Sequence, residues 1–508
     1  MGSMTTATEP VRSIDPRTGE VVETVAEQTD AETVARLCAA AVEATARLAA
    51  MSFADRAEML EAMAAALEGD RERLVDIADR ESALGRPRLD GEVTRTATQL
   101  RLFAAVLRDG AFAEATIDHA TDASPDLRRM LIGLGPVSVF GASNFPFAFS
   151  AAGGDTASAL AAGCAVIVKA HGAHPALDAA VVALLRDAAG RTAAGEDAVS
   201  VVYGREAGTA VVADARIRAV GFTGSERAGR MLMDLAAARP EPIPVYAEMG
   251  SLNPLVVTPG SAERGAEIAA TIADSVLLGG GQFCTKPGLV FLPEGAAGDA
   301  VVSALVERIG ASDAIHLLSI DIRDTFMKGA AAVAASADAA ALVTPSAGTG
   351  SAATPALNEV AVASLFGADE LIAECFGPAA LVVRYGTIAQ VVDVIDRLPA
   401  SLTLSVFAED AESDAVAAIA AAATERVGRI ILNGVSTGVA VNWAQQHGGP
   451  YPAASSAMHT SVGATAIRRF LRPVAYQSFT DALLPPALQE SNPLGIPRRV
   501  DGRLEVNG

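Results

Sequence analysis

Short runs of β-branched residues alternate with alanine-rich segments from Pro136 to about residue 248, and this alternation constrains the fold most strongly. The alanine-rich segments, such as Ala176–Ala189, have the length and composition of helices. Strands that alternate with helices form a parallel sheet, because each helix returns the chain to the edge where the next strand begins. The predicted strands of this first series are Val137–Phe140, Val166–Val168, Val199–Val202 and Ala219–Phe222.

A second alternating series follows Glu248 and continues to about Gly449. A chain of 508 residues is too long for one ordinary core, so we predict two α/β lobes. Glu248 then lies near their junction, and a cleft between lobes is a common place for small molecules to bind. The predicted strands of the second series are Leu289–Leu292, Leu381–Val383, Leu402–Phe407 and Ile430–Asn433.

Segments outside the two series are of two kinds. Residues from about 30 to 110 carry apolar and charged residues at helical spacing, which predicts several amphipathic helices. Residues from about 112 to 134 and those after about 465 fit neither lobe, and we expect extended structure there. Such segments either form an arm against a neighbouring subunit or pack as a hairpin on their own chain.

The formal net charge is −21, from 60 acidic and 39 basic side chains. Such a charge repels nucleic acid and anionic membrane surfaces, so we expect neither as a partner. The four cysteines are far apart and predict neither a metal site nor a disulfide framework. We expect reduced thiols in a cytoplasmic protein without a signal segment, and Met1–Met4 is typical of an expression tag.

Cys284 is the strongest candidate for a reactive residue. A lone cysteine is more often a small buried apolar residue, and the other three cysteines lie in such surroundings. Cys284 differs because it ends the small-residue segment Gly280–Cys284 and is followed by Thr-Lys-Pro-Gly. Such a segment leaves the sulfur accessible, and we expect Lys286 to favour the thiolate, which is the reactive form.

Two polar residues can assist a thiol nucleophile. Asn144, in the segment Val139–Pro146, can donate its amide to an oxyanion, although an asparagine before Phe-Pro is equally typical of a turn. Glu248 ends the predicted strand Pro244–Glu248, where a carboxylate can activate water. Without Cys284 and Asn144, we would interpret Glu248 as an exposed strand-end carboxylate.

The segment Gly221–Gly229 is typical of a turn from a strand into a helix. Its spacing from Gly224 to Gly229 is G-x-x-x-x-G, which by itself indicates only a turn or helix packing. Here it places Ser225 and several backbone amides at a helix N-terminus, where a diphosphate binds well. Lys169, which follows another predicted strand, can reach ribose hydroxyls; otherwise it is an ordinary strand-end lysine.

His447 lies in the glycine-rich segment Trp443–Pro450. A histidine in such a loop is more often structural or solvated than catalytic, and the sequence alone leaves both interpretations open. A thiol, a carboxylate, an amide donor and a dinucleotide site are together the components of an aldehyde-oxidising dehydrogenase.

Together these segments resemble the aldehyde dehydrogenase superfamily, and the resemblance extends from about residue 10 to about residue 485. It implies an α/β fold with a Rossmann-type cofactor domain, an α/β catalytic domain and a β oligomerisation arm, usually in a homodimer or homotetramer. The implied cofactor domain spans 1–112 and 135–248, the catalytic domain 249–460, and the arm and tail 113–134 and 461–508.

One subgroup of the superfamily is especially similar. It comprises the α-ketoglutaric semialdehyde (2,5-dioxovalerate) dehydrogenases, together with the NADP-dependent fatty aldehyde dehydrogenase of luminous bacteria. The segments that carry this similarity are residues 141–146, 152–156, 168–171, 281–288, 374–378 and 447–450.

The resemblance implies a role for each matching residue. Cys284 would be the nucleophile, Glu248 the general base and Asn144 the oxyanion donor. His447 falls where relatives place a histidine close to the catalytic cysteine. The implied NAD(P) ligands are Lys169 for the adenosine ribose, Ser225 with Gly224 and Gly229 for the diphosphate, Glu374 for the nicotinamide ribose, Phe376 for the nicotinamide end and Arg205 for a 2′-phosphate.

The sequence departs from the superfamily pattern at two places. The usual Trp-Lys after Asn-Phe-Pro is replaced by Ala152-Gly153, and the usual Lys-Ser-Glu by Lys169-Ala170-His171. The missing glutamate removes a group that would repel a 2′-phosphate, and an arginine fork suits such a dianion. Gly172 lacks the hydroxyl that some relatives offer there, so we predict NADP and leave NAD open.

The substrate pocket is the least constrained part of the inference. A keto acid aldehyde needs a cation or several donors at the far end of the pocket, and Lys286, Gln445 and His447 are candidates. An apolar chain would be suited equally well by four aromatic residues: Phe145, Phe147, Phe149 and Trp443.

We therefore predict NADP-dependent oxidation of α-ketoglutaric semialdehyde to 2-oxoglutarate through a cysteine thiohemiacetal and thioester. A medium- or long-chain (fatty) aldehyde is the alternative substrate. A Cys–Glu thioester hydrolase would need the nucleophile and base without a dinucleotide, and a non-catalytic scaffold would tolerate the loss of Cys284 or Glu248.

Overall fold

A computed structural model describes residues 10–506, so the expression tag assigned to Met1–Met4 lies outside the described residues. Helices and strands alternate through most of this range. The helices are α1 (Ala31–Ala50), α2 (Phe53–Gly69), α3 (Arg71–Ser82), α4 (Arg86–Asp109), α5 (Gly154–Ala162), α6 (Pro175–Gly190), α7 (Arg205–Ala213), α8 (Glu226–Ala237), α9 (Pro259–Ala262), α10 (Gly265–Leu277), α11 (Ala296–Gly310), α12 (Ile320–Ala335), α13 (Ile388–Arg397) and α14 (Ser413–Thr424). The strands are β1 (Val11–Ile14), β2 (Val21–Ala26), β3 (Thr116–Asp118), β4 (Leu127–Gly133), β5 (Val137–Phe140), β6 (Val166–Lys169), β7 (Val199–Val202), β8 (Ala219–Thr223), β9 (Val245–Glu248), β10 (Leu255–Val257), β11 (Leu289–Pro293), β12 (Ile315–His316), β13 (Ala340–Val343), β14 (Ala352–Ala353), β15 (Ala356–Ala361), β16 (Ala379–Tyr385), β17 (Ser401–Phe407), β18 (Val427–Leu432), β19 (Leu471–Gln477), β20 (Arg498–Val500) and β21 (Arg503–Glu505).

Helices α1 to α4 confirm the amphipathic helices expected from about 30 to 110. Asp30 and Ser52 cap α1 and α2 by accepting the backbone N–H groups of Thr33 and Asp55, which satisfies donors that a helix start leaves open. One apolar cluster joins these helices to β5, β6 and β7. Among residues 10–506, no single helix is long and apolar enough to cross a membrane, although α1 and α2, bent by 120°, pass that test as a joined pair.

The first alternating series forms a five-stranded sheet in the order β7-β6-β5-β8-β9, and all its neighbours are parallel. This confirms the parallel sheet predicted from the sequence. The chain moves outward to one side of β5 and then returns to the other side. In such sheets ligands bind outside the carboxyl ends of the strands, where the strand order reverses. The ends of β5, β8 and β9 all lie at that edge.

The second series forms a seven-stranded sheet in the order β13-β15-β16-β11-β10-β17-β18, in which only β13 runs antiparallel to its neighbour. Its central strands bury apolar residues on both faces, because helices pack on both sides. The four strands predicted for this series are confirmed, with ends that differ by a few residues.

The two extended segments outside the lobes pair with each other. Strand β19 lies antiparallel to β4 over seven residue pairs, from Leu471 opposite Gly133 to Gln477 opposite Leu127. Strands β3, β20 and β21 complete a five-stranded sheet in the order β19-β4-β3-β20-β21. The division into two domains and an arm is a proposal that these three sheets support, and contact of the arm with a neighbouring subunit stays a prediction.

Leu488→Ala should destabilise the arm sheet, because Leu488 is fully buried in the apolar cluster beneath β4, beside Met130 and Leu484. Deleting a buried leucine side chain costs roughly 2–5 kcal/mol of unfolding free energy. Leu483→Ala is the matched control, because Leu483 is 71% exposed. Thermal and urea unfolding would measure both variants, and equal losses would contradict this description of the cluster.

Candidate active site

Three consecutive glycines shape the loop that carries Cys284. Gly279, Gly280 and Gly281 all have positive φ angles, of 57°, 68° and 65°, a region that favours glycine. A Cβ atom on Gly281 would lie 2.2 Å from the carbonyl oxygen of Gly377, so a larger residue has no room there. The loop therefore fits closely against the segment that follows Glu374.

Cys284 lies beside a histidine and a carboxylate. Its Sγ is 3.5 Å from Nε2 of His447, and that nitrogen is 3.1 Å from Oε2 of Glu248. His447 and Glu248 are only 1% and 3% exposed, whereas Cys284 is half-buried. The three reactive atoms lie within 4.8 Å of one another, so this loop and the end of β9 form one site. Cysteine, histidine and carboxylate can also ligate metal, and the absence of a catalytic metal stays a prediction.

The pKa of the Cys284 thiol lies well above its ordinary value. Burial is the main cause, and the negative charge of Glu248 adds to it. The expectation that Lys286 favours the thiolate is wrong. The Lys286 ammonium donates to the backbone carbonyls of Cys375 and Ala379 instead. Cys284 therefore rests as a neutral thiol and needs a base before it can react.

Asn144 reaches the same loop from the first sheet. It follows β5, is 7% exposed, and donates through Nδ2 to the carbonyl of Gln282 at 2.8 Å. A primary amide carries two donor hydrogens, so one stays available beside Cys284. This bond joins the carboxyl end of β5 to the loop that carries the thiol.

The start of α8 lies at the carboxyl end of β8. Ser225 is its N-cap and accepts the Ala228 N–H. A Cβ atom on Gly229 would lie 2.6 Å from Sδ of Met249, and one on Gly224 would lie 2.6 Å from the ring of Phe222. These glycines allow the helix to begin close to the sheet, with its free backbone N–H groups at the edge where a diphosphate binds.

Lys169 and Arg205 lie at the neighbouring strand ends. Lys169 is the last residue of β6 and Arg205 the first of α7, directly after β7. Burial lowers the pKa of Lys169, Asp178 opposes this effect, and the nearby charge of Arg205 adds to it. Lys169 lies opposite Val202 in the sheet, so both cations lie at the same edge of it. A Cβ atom on Gly172 would meet nothing within 4 Å, which leaves open space beside them.

Glu374 lies beside the segment that follows β9. Its carboxylate covers Gly250, where a Cβ atom would overlap with Oε2. The side chain of Glu374 is exposed. Loss of hydration nevertheless raises its pKa to about 7, and the positive charge of Lys286 opposes this effect. Phe376, two residues further along, is half-buried. A dinucleotide site formed by these residues and the strand-end residues of the first sheet stays a prediction.

Aromatic rings surround the thiol. Phe145 contacts Phe149 and Phe283, with ring centroids 5.3 Å and 5.1 Å apart, and Phe149 lies 5.9 Å from the ring of His447. Other predicted pocket residues lie elsewhere. Phe147 is in the core, Trp443 is 53% exposed, and the Gln445 amide donates to the carbonyl of its neighbour Gln446.

The sequence analysis missed two arginines beside these rings. The guanidinium of Arg88 lies 4.9 Å from the ring centroid of Phe145, and that of Arg95 lies 5.0 Å from that of Phe149. Both belong to α4, where charged residues at helical spacing ordinarily form a solvated face. Their separation by seven residues places them on one face of the helix, which was the only signal in the sequence.

A parallel sheet with a nucleotide-type helix start, joined to a Cys–His–Glu cluster, is typical of an oxidoreductase that uses a thiol. The sequence matches the aldehyde dehydrogenase family over residues 4–473, and the chain belongs to that family. It is therefore an aldehyde-oxidising enzyme of a family that uses NAD or NADP.

Two relatives show similarity over most of the chain. The chain is 44% identical to α-ketoglutaric semialdehyde dehydrogenase 2 of Azospirillum brasilense, covering 97% of this chain and 96% of the relative. It is 38% identical to α-ketoglutaric semialdehyde dehydrogenase of Acinetobacter baylyi, covering 89% and 88%. Among solved structures, aldehyde dehydrogenase 21 of Physcomitrella patens has the same fold, with a TM-score of 0.78 at 21% identity over 93% of this chain and 96% of that one.

Glu248→Gln should speed the alkylation of Cys284 by iodoacetamide near pH 8. Removing the carboxylate charge lowers the pKa of the thiol, and a shift of one unit would raise the thiolate fraction about tenfold. In the wild-type chain, the rate should still be rising above pH 9.0. Peptide mass spectrometry would follow Cys284, with Cys375 as the internal reference because Glu248 does not contribute to its pKa shift. Slower alkylation in the variant would contradict this electrostatic description.

Proposed function

We propose that this enzyme oxidises α-ketoglutaric semialdehyde to 2-oxoglutarate with NADP, and that Cys284 is its nucleophile. The observation that carries the proposal is the 3.5 Å approach of the thiol to His447, which in turn contacts Glu248, in a chain 44% identical to a dehydrogenase named for that substrate. The thiol is neutral at rest, so its proton leaves toward the buried pair as Sγ attacks the aldehyde carbon.

Attack by Cys284 produces a thiohemiacetal whose oxygen carries negative charge. The free hydrogen on Nδ2 of Asn144 and the backbone N–H of Cys284 are the proposed donors to that oxygen. Donors fixed before the reaction stabilise the developing charge without reorganisation. The bond from Asn144 to the carbonyl of Gln282 supplies this fixation.

A dinucleotide held by the cofactor residues would supply the acceptor for the hydride of the thiohemiacetal carbon, and loss of that hydride would leave a thioester on Cys284. Glu248 then activates the water that hydrolyses it. Oε1 of Glu248 is buried and has no hydrogen-bond partner, whereas Oε2 contacts His447 and Ser461. We propose that Oε1 holds this water and takes its proton.

The proposed cofactor ligands are the residues along the cleft: Lys169, Arg205, Gly224, Ser225, Gly229, Glu374 and Phe376. NADP is proposed over NAD because Arg205 lies close to Lys169 and the segment after Lys169 carries no glutamate to repel a 2′-phosphate.

Arg205→Ala should raise the KM for NADP by roughly 10-fold to 100-fold, because a charge-assisted bond to the 2′-phosphate is lost. The KM for NAD should change less than about threefold, since NAD offers no phosphate there. Initial rates with each cofactor at saturating aldehyde would measure both constants. Equal increases in the KM values for NADP and NAD would show that Arg205 does not bind the 2′-phosphate.

A fatty aldehyde remains the second candidate substrate, because the Phe145, Phe149 and Phe283 cluster offers apolar surface beside Cys284. A thioester hydrolase or a scaffold is not favoured, since neither needs the residues along the cofactor cleft. The finding that all four cysteines are free supports the proposed cytoplasmic location.

We also propose a homodimer or homotetramer. Strands β18 and β19 are edge strands of their sheets, and Ile430 and Leu432 on β18 are 40% and 58% exposed. Unpaired strand edges with exposed apolar residues favour contact with another chain. The arm sheet is the proposed contact on the other subunit.

Reduction of NADP by the wild-type enzyme should be at least tenfold more efficient, as kcat/KM, with α-ketoglutaric semialdehyde than with any straight-chain aldehyde from propanal to decanal. The physical reason is recognition of the substrate carboxylate, whose binding contributes about the free energy of one hydrogen bond to a charged group. Cys284→Ala is the control for background reduction and should show none. An efficiency that rises with chain length instead would replace this substrate by a fatty aldehyde.

A further inference from the structure

One face of α4 places charged residues against the aromatic rings of the site. Arg88, Glu92 and Arg95 are spaced by four and three residues, so they share that face. The guanidinium of Arg88 lies 4.9 Å from the centroid of Phe145 and 5.0 Å from that of Phe283, the residue before the nucleophile.

Each arginine has a buried nitrogen without a hydrogen-bond partner. Nη2 of Arg88 donates to the carbonyl of Asn144 at 2.6 Å, and Nη2 of Arg95 donates to the carbonyl of Val439 at 3.2 Å. Their Nη1 atoms are buried and donate to no protein atom. A buried guanidinium donor without an acceptor is costly, and an anionic ligand would satisfy it.

The local charges leave one positive charge uncompensated. Oε1 of Glu92 accepts the backbone N–H groups of Phe147 and Ala148 at 2.9 Å and 3.0 Å, and its charge acts on both arginines. One carboxylate beside two guanidinium groups gives a net charge of about +1 when all three are ionised. A monoanion is the ligand that neutralises this cluster.

The cluster lies within electrostatic range of the nucleophile. The charge of Arg95 interacts with Cys284 directly, and both arginines contact rings that surround the thiol. Nη1 of Arg88 also lies close to Gly279, since a Cβ atom on that glycine would be 2.6 Å from it. Because Gly279 has no side chain, the loop that carries Cys284 leaves space for this nitrogen.

We propose that Arg88 and Arg95 bind the carboxylate of the substrate aldehyde and so select a short acidic aldehyde over an uncharged one. This inference rests on the proposed function. The two Nη1 donors hold the carboxylate among the phenylalanine rings, and the aldehyde carbon at the other end of the molecule lies against Cys284. Guanidinium groups suit this task because they stack on aromatic rings and donate to carboxylates in fixed geometry.

Arg95→Met should lower kcat/KM for α-ketoglutaric semialdehyde by roughly 100-fold, mostly through KM, because a buried charged hydrogen bond to the substrate is lost. For pentanal, which has the same chain length without the carboxylate, the change should be less than about threefold. Arg101→Met is the matched control on the same helix, because Arg101 pairs with Glu68 at the surface, and it should change neither value.

A binding measurement tests the same inference without turnover. In the Cys284→Ala background, calorimetry should give a Kd for 2-oxoglutarate that is about tenfold or more weaker when Arg95 is also methionine. Arg95→Lys keeps a positive charge but loses the two-pronged guanidinium group. Its Kd for 2-oxoglutarate should lie between the values with arginine and with methionine at position 95, and it serves as the test if Arg95→Met does not fold. Arg88→Lys should likewise affect the acidic aldehyde more than pentanal.

The outcomes separate this inference from the proposed function. A wild-type enzyme that prefers pentanal would overturn the proposed substrate and this subsite together. If the wild-type enzyme prefers the acidic aldehyde, and Arg95→Met lowers kcat/KM for both aldehydes equally or for neither, the subsite alone would be overturned. Equal loss would assign Arg95 a packing role against Phe149.

Discussion

The contact between the end of β9 and the loop around His447 is the constraint on which the site depends. Glu248 is the last residue of β9, and its carboxylate lies 3.1 Å from His447. The backbone continues the contact, since Met249 donates to Ala453 at 2.8 Å and Ser455 to Ala247 at 2.9 Å. A strand of the first sheet is thereby fastened to the second lobe. Cys284 and Glu248 lie in one site because this junction joins the two lobes.

Much of the fold could be predicted because its signal is local. Most strands that were predicted for the two large sheets are short runs with β-branched residues, and the sequence placed Glu248 at a strand end near the junction of the lobes. The positions of Arg88 and Arg95 could not be predicted in the same way. Helical spacing identifies a shared face but not what that face contacts, and only the tertiary structure turns it toward Phe145 and Phe149.

The direction of Lys286 was unpredictable for a similar reason. Two residues after the nucleophile, a lysine can turn to either side of its loop, and the carbonyls of Cys375 and Ala379 determine the side it takes. The position of this positive charge thus depends on the hydrogen-bond acceptors around it. In a chain with a net charge of −21, Lys169 and Arg205 lie at neighbouring strand ends, and Arg88 and Arg95 lie beside the aromatic rings of the site.

The pairing of β19 with β4 has a consequence for how the chain is made. Leu471 and Gly133 are far apart in the sequence, so the edge of β4 that faces β19 stays unpaired until β19 has been synthesised. Contacts of such long range form slowly, and an unpaired strand is prone to associate with other chains. Pairing of β19 with β4 therefore covers a strand edge that would otherwise be open to other chains.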